Sequence, residues 1–169
     1  VMEKGYAICS HNVCSINTLG KIDNNFWKFE GGEYDWRFYL KNMPFFAHSS
    51  KMFIRDHLIS VVKKLESNTY DFELHLESLK YGNIYHISDN LGVYRLDVGL
   101  MKNDKKILIK MIDTKIRVFE KSYVYFDDKK YVKKIYQKEI LKMIKYTLIN
   151  LKISKSTRLF LLMINYRLQ

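Results

Sequence analysis

The stretch DFELHLESLKYGNIYHISDNLGVYR, residues 71–95, constrains the fold more than any other part of this chain. Phe72, Leu76 and Leu79 recur at helical spacing, while Asp71 and Glu73 fall in the first turn, where the helix dipole favours negative charge. Asn68 or Thr69 can cap this helix, and Gly82 supplies its stop. NIYHIS (83–88) and LGVYRLDV (91–98) then read as two short strands. A helix delivered straight onto strands predicts an α/β domain.

The upstream segments fit the same class. YAICSHNVCSI (6–16) reads as a strand and NTLGKIDNN (17–25) as a turn and loop. Trp36, Tyr39, Leu40 and Met43 share one face of a short helix that Pro44 ends. FFAHSSKMFI (45–54) predicts a second strand, and RDHLISVVKKLES (55–67) a helix whose apolar stripe is Leu58, Ile59, Val62 and Leu65. The first domain is therefore expected over residues 1–101.

With 169 residues, 47% of them hydrophobic and 15% aromatic, the chain can bury enough apolar surface to offset the entropy of folding. A single proline and seven glycines leave little material for linkers. Cys9, His11 and Cys14 lie close together, but no second ligand pair at finger-like spacing follows, so no metal site is expected there. The expectation is two reduced structural thiols in a cytoplasmic protein. The longest apolar run, LFLLMI (159–164), falls far short of the roughly 20 residues that span a bilayer.

Charge is segregated. Residues 1–101 carry 11 basic and 12 acidic groups, whereas residues 102–169 carry 18 and 6. The whole excess behind the net charge of +11 sits in this C-terminal extension, which is expected to be mainly helical and to meet something anionic. Over 131–152, Val132, Tyr136, Ile140, Ile144, Leu148 and Leu151 recur at helical spacing beside a stripe of Lys134, Lys138, Lys142, Lys145 and Lys152. Such a helix suits an anionic membrane surface, which would make the protein peripheral at the inner face of the membrane.

The ordered segments YAICSHNVCSINTLGKI, FFAHSSKMFIR and YDFELHLESLKYGNIYHISDNLGVYRLDVG carry a resemblance. Together they are similar to the second half of inverting family 2 glycosyltransferases, the GT-A enzymes that build bacterial surface polysaccharides. The resemblance covers roughly residues 2–101 and rests on the order of the motifs. It implies the acceptor-side half of a GT-A domain, followed by the basic helical tail. In such enzymes an acceptor hydroxyl attacks the anomeric carbon of a nucleotide sugar, and a carboxylate takes its proton. By position that base is Asp71, with Glu73 as the alternative. Tyr94 and Arg95 match the strand that ends near the donor diphosphate, where a guanidinium can bind phosphate oxygens in a bidentate way. Asp97 stands where members often place a histidine. It is expected on the donor diphosphate or metal side, able to keep a metal contact but repelling a diphosphate. Ser49 and Ser50 match a crowded wall of the acceptor cleft. His48 and His75 are expected to be packing histidines.

The resemblance further implies a nucleotide-sugar donor, a saccharide or lipid-linked acceptor, and a divalent ion, Mg or Mn, held by an Asp-x-Asp element. No such element occurs in this sequence, and Asp127–Asp128 in the lysine-rich tail reads as a solvated turn. The chain is thus expected to be the C-terminal portion of a larger enzyme, without its donor-binding half and inactive alone. The competing class is a non-enzymatic basic module for RNA or an anionic membrane. Its RNA form is disfavoured because the basic residues are segregated from the aromatic-rich first hundred instead of interleaved with them. No nucleic-acid partner is expected.

Overall fold

The structure, a computed structural model, describes residues 5–47, 49–65, 71–96 and 105–150. Its elements run β1 (Ile8–Ile16), β2 (Ile22–Trp27), β3 (Gly32–Tyr34), α1 (Trp36–Lys41), β4 (Lys51–Phe53), α2 (Arg55–Val62), α3 (Asp71–Ser78), β5 (Ile84–Arg95), α4 (Lys105–Tyr125) and α5 (Lys129–Asn150). The architecture is mixed α/β.

β1 organises the sheet. It pairs in parallel with β5 along its length, and antiparallel with β4 through Ile8–Ser10 and with β2 through Val13–Ile16. β3 pairs antiparallel with Ile84–His86 of β5, giving the order β2-β1-β5-β3 with β4 beside β1. Successive strand residues face opposite sides, yet Ala7, Ile8, Cys9 and Ser10 are all buried. Both faces are therefore covered at this end of the sheet.

A cluster of rings fills the space beside β3 and α1. Phe29 meets Phe45 edge-on at 4.7 Å, Phe38 meets Phe45 at 5.0 Å, and Phe45 meets the His86 ring at 5.0 Å. Asn12 holds the loop that carries Phe29. Its Nδ2 donates to the carbonyls of Phe29 and Ser88, and its Oδ1 accepts from Phe29 N–H at 2.8 Å. That backbone pattern fixes the amide's orientation, so His86 Nε2 must donate to Asn12 Oδ1 (2.9 Å) and His86 Nδ1 must accept from Ser10 Oγ (2.8 Å).

Several local expectations change. Residues 22–25 lie in β2 instead of a loop: Asn17 Oδ1 accepts from Leu19 N and Lys21 N, and the tight turn pairs Ile16 with Ile22. Within 45–54 only Lys51–Phe53 is strand. Phe45, Phe46 and Ala47 are buried in a turn that Ser50 closes, both its N–H and its Oγ donating to Ala47 O. The α2 stripe is shifted in phase. Ile59 and Val62 are 41% and 53% exposed, while Val61 is buried along the line Ile54, Leu58, Val61, Leu65. Residues 84–95 form one strand instead of two, with Asp89 and its neighbours absorbed as an irregularity opposite His11–Asn12.

α3 follows its sequence pattern, with Phe72, Leu76 and Leu79 buried. The caps expected at Asn68 or Thr69 lie outside the described residues. Gly82 is needed for a close approach, because a Cβ there would fall 2.2 Å from the Gly5 carbonyl oxygen.

The chain divides into two compact units at Val118/Phe119, inside α4, whereas its charge steps near Met101. In the first unit the early part of α4 is tied to the rest: Lys115 Nζ donates to Met43 O at 3.2 Å and lies over the Phe72 ring. In the second unit, Phe119 packs on Tyr136 with centroids 5.2 Å apart. Asp128 Oδ1 caps α5 by accepting from Tyr131 N, while Lys129 Nζ donates to the carbonyls of Tyr123 and Val124 at the end of α4. Asp127 is exposed in the intervening turn. Val132, Tyr136 and Ile140 are buried on α5, with Lys134, Lys138, Lys142 and Lys145 exposed. Leu148, Leu151 and Lys152 are beyond the described side chains. Among the described residues, no helix is long and apolar enough to cross a membrane.

Candidate functional site around Asp71

Asp71 opens α3, half-buried, with its charge felt by two groups from other elements, Tyr39 of α1 and Lys51 of β4. Asp71 and His75 are four residues apart and share one face of α3. His75 is 2% exposed and joins the two groups: Lys51 Nζ contacts His75 Nε2, and His75 Nδ1 lies 3.1 Å from the Tyr39 hydroxyl. Because an ammonium can only donate, His75 Nε2 accepts from Lys51 and Nδ1–H donates to Tyr39. The Tyr39 hydroxyl then donates to Phe72 O at 3.3 Å.

The charges in this cluster follow from burial. Burial pushes Lys51 down to about 8, against the pull of Asp71, which favours its charged form. Burial also raises the Tyr39 phenol well above its ordinary value, reinforced by the Asp71 charge. Tyr39 therefore stays a donor, and Lys51 brings a half-buried cation, framed by the rings of Phe46 and Phe53 at 5.8 and 5.6 Å, within electrostatic reach of Asp71.

Glu73, the alternative base, is in a different environment. It is 4% exposed, and its Oε1 accepts from Arg117 Nε at 2.5 Å. This ion pair fastens α3 to the early part of α4.

The remaining sequence candidates are spread out. Ser50 is fully buried and spends its hydroxyl on Ala47 O, while its carbonyl accepts from His11 N; Ser49 is exposed. Both flank Lys51. Tyr94 and Arg95 close β5, with Tyr94 stacked on Phe26 at 5.5 Å and Arg95 exposed. On β1, Lys51 pairs with Ser10 and Arg95 with Ile16. Six residues of strand separate those positions, roughly 20 Å at about 3.3 Å each. The structure does not bring Arg95 into the Asp71 cluster. Asp97 and His48 lie outside the described residues.

Among the described residues, no group of three or more His, Cys, Asp or Glu side chains could hold a metal ion. The Mg or Mn that the resemblance implies thus has no ligand group among the described residues, and Asp97, expected on its side, lies outside them. Cys9 and Cys14 are free thiols on β1.

Sequence reasoning passed over Lys51 and Tyr39. Lys51 is the only charged residue in FFAHSSKMFI, but nothing local sets Tyr39 apart from a core residue of its helix. No family model, curated protein or solved structure matches the chain.

Proposed function

We propose that this chain is the acceptor-side half of an inverting GT-A glycosyltransferase, acting on a nucleotide-sugar donor and a saccharide or lipid-linked acceptor in surface polysaccharide synthesis. Asp71 is its base. The hydroxyl O–H bond breaks toward the Asp71 carboxylate as the oxygen bonds to the anomeric carbon, and the diphosphate leaves with the electron pair of the broken C–O bond. The observation that carries this reading is the contrast at the head of α3: Glu73 is buried against Arg117, while Asp71 is half-buried with Lys51 and Tyr39 set about it.

Within this reading Lys51 supplies positive charge beside the carboxylate, and His75 and Tyr39 hold that lysine in place. The exposed lysines of α5 support an anionic membrane as a further partner, which suits a lipid-linked acceptor.

The test is transfer of labelled sugar from UDP-, GDP- and dTDP-sugars to a membrane glycolipid extract, by a polypeptide joining this segment to a nucleotide-binding half. The expected product has inverted anomeric configuration by NMR. Retained configuration, or no transfer from any of these donors, would contradict the proposal.

A further inference from the structure

A recess lies at the other end of β1, away from Asp71. It is a cavity of about 490 Å³ where the β1–β2 turn meets Leu96, and a neighbouring one of about 320 Å³ shares Asn17 and Leu96 with it. Both fall in the range of ligand-sized sites, roughly 300–1,000 Å³. Asp71 lines neither of them.

The larger cavity is rich in unspent hydrogen-bonding capacity. Asn17 Oδ1 is used by the turn it holds, which leaves its Nδ2 as a donor. Asp23 Oδ1 accepts from Asn25 N at 2.9 Å, which leaves its second oxygen as an acceptor. Asn24 and Asn25, both exposed, also line the cavity, and their side-chain amides make no hydrogen bond among the described residues. Each amide offers a donor and an acceptor side by side, the pattern that adjacent hydroxyl groups complement. The apolar part of the wall is Phe26, stacked on Tyr94 at an interplanar angle of 22°, Leu96, and Ile22, which is 56% exposed. Charge in the larger cavity is balanced, with Lys21 against Asp23, while Arg95 lines the neighbouring one.

We infer that this recess binds a neutral, hydroxyl-rich ligand, an oligosaccharide chain, with its hydroxyls on the asparagine amides and a C–H face of a sugar ring on Phe26. A phosphate-bearing ligand is disfavoured, because a cleft that tracks a polyanion is lined by cations and this one holds the Asp23 carboxylate. The inference does not depend on Asp71 being a base, since it concerns only what the recess holds.

The test is binding of the full chain to an array of neutral and acidic microbial glycans, with UDP measured alongside by calorimetry. At least one neutral glycan should be retained, with little salt dependence. Asn25→Ala, at an exposed position, should weaken it about tenfold while leaving the circular dichroism spectrum unchanged, as expected for loss of one to two ligand hydrogen bonds. Phe26→Ala should weaken it at least as much. Binding only to acidic glycans or UDP, no retained neutral glycan, or full binding by Asn25→Ala would each overturn the assignment.

Discussion

At the first turn of α3 two carboxylates stand two residues apart, and Arg117 takes one of them. Glu73→Gln should therefore act on stability, lowering it by about 1–2 kcal/mol in urea unfolding. The loss stays below that of a fully buried pair because the Arg117 side chain is 42% exposed. An unchanged midpoint would show that the pair contributes nothing. His86 makes the second residue-scale prediction. Burial, assisted by the His11 charge, lowers it from 6.5 to about 4, so it is neutral in the folded protein. The unfolded chain then binds the proton more readily. Stability from this group is fully present above pH 6.5 and is lost as pH falls toward 4, by up to about 3 kcal/mol. Urea unfolding at pH 7.5, 6.0 and 4.5 should follow that order, and equal stability at all three would contradict the buried neutral assignment.

Between α3 and β5 the backbone turns at Gly82, against the Gly5 carbonyl. A side chain there meets backbone, which cannot swing aside as a flexible side chain would. Gly82→Ala should thus destabilise by about 2–4 kcal/mol, among the large effects for single substitutions, and a loss under 1 kcal/mol would contradict the close approach. On α5 the exposed lysines make a different prediction. The protein should float with vesicles containing phosphatidylserine, each lysine near the surface contributing about 1 kcal/mol. Flotation should fall steeply with salt, because the attraction is screened within about 8 Å at physiological ionic strength. Equal flotation with purely neutral vesicles would rule out an electrostatic role. Elements were legible where their own residues decide them. The stripe Phe72, Leu76, Leu79 reads as a helix because burial there follows local periodicity. β2 was missed because Asp23, Asn24 and Asn25 are poor strand formers, held in place by pairing with β1. β5 looked broken at Ser88–Asn90 because only its alignment with distant β1 carries the strand across that irregularity.

At the scale of the molecule, the mixed α/β class was legible from alternating strand and helix signals, but the sheet order was not. Parallel pairing of β1 with β5 joins residues about 76 apart, such as Ser10 and His86, and no local pattern announces it. The same holds for the candidate site. Asp71 was legible from its place at a helix start and from the order of the surrounding motifs. Its companions were not, since Tyr39 looked like an ordinary core residue of α1 and Lys51 reaches His75 only once β4 and α3 pack. The central claim is that Asp71 is the group that takes the acceptor proton. Its most direct test is turnover by Asp71→Asn and Glu73→Gln in a polypeptide that joins this segment to a nucleotide-binding half. The amide keeps the shape of Asp71 but cannot accept that proton, so Asp71→Asn should keep donor affinity and lose roughly 10²- to 10⁴-fold in kcat, with Glu73→Gln far less affected in kcat. Near-normal turnover in Asp71→Asn would contradict the account, whether or not Glu73→Gln is impaired.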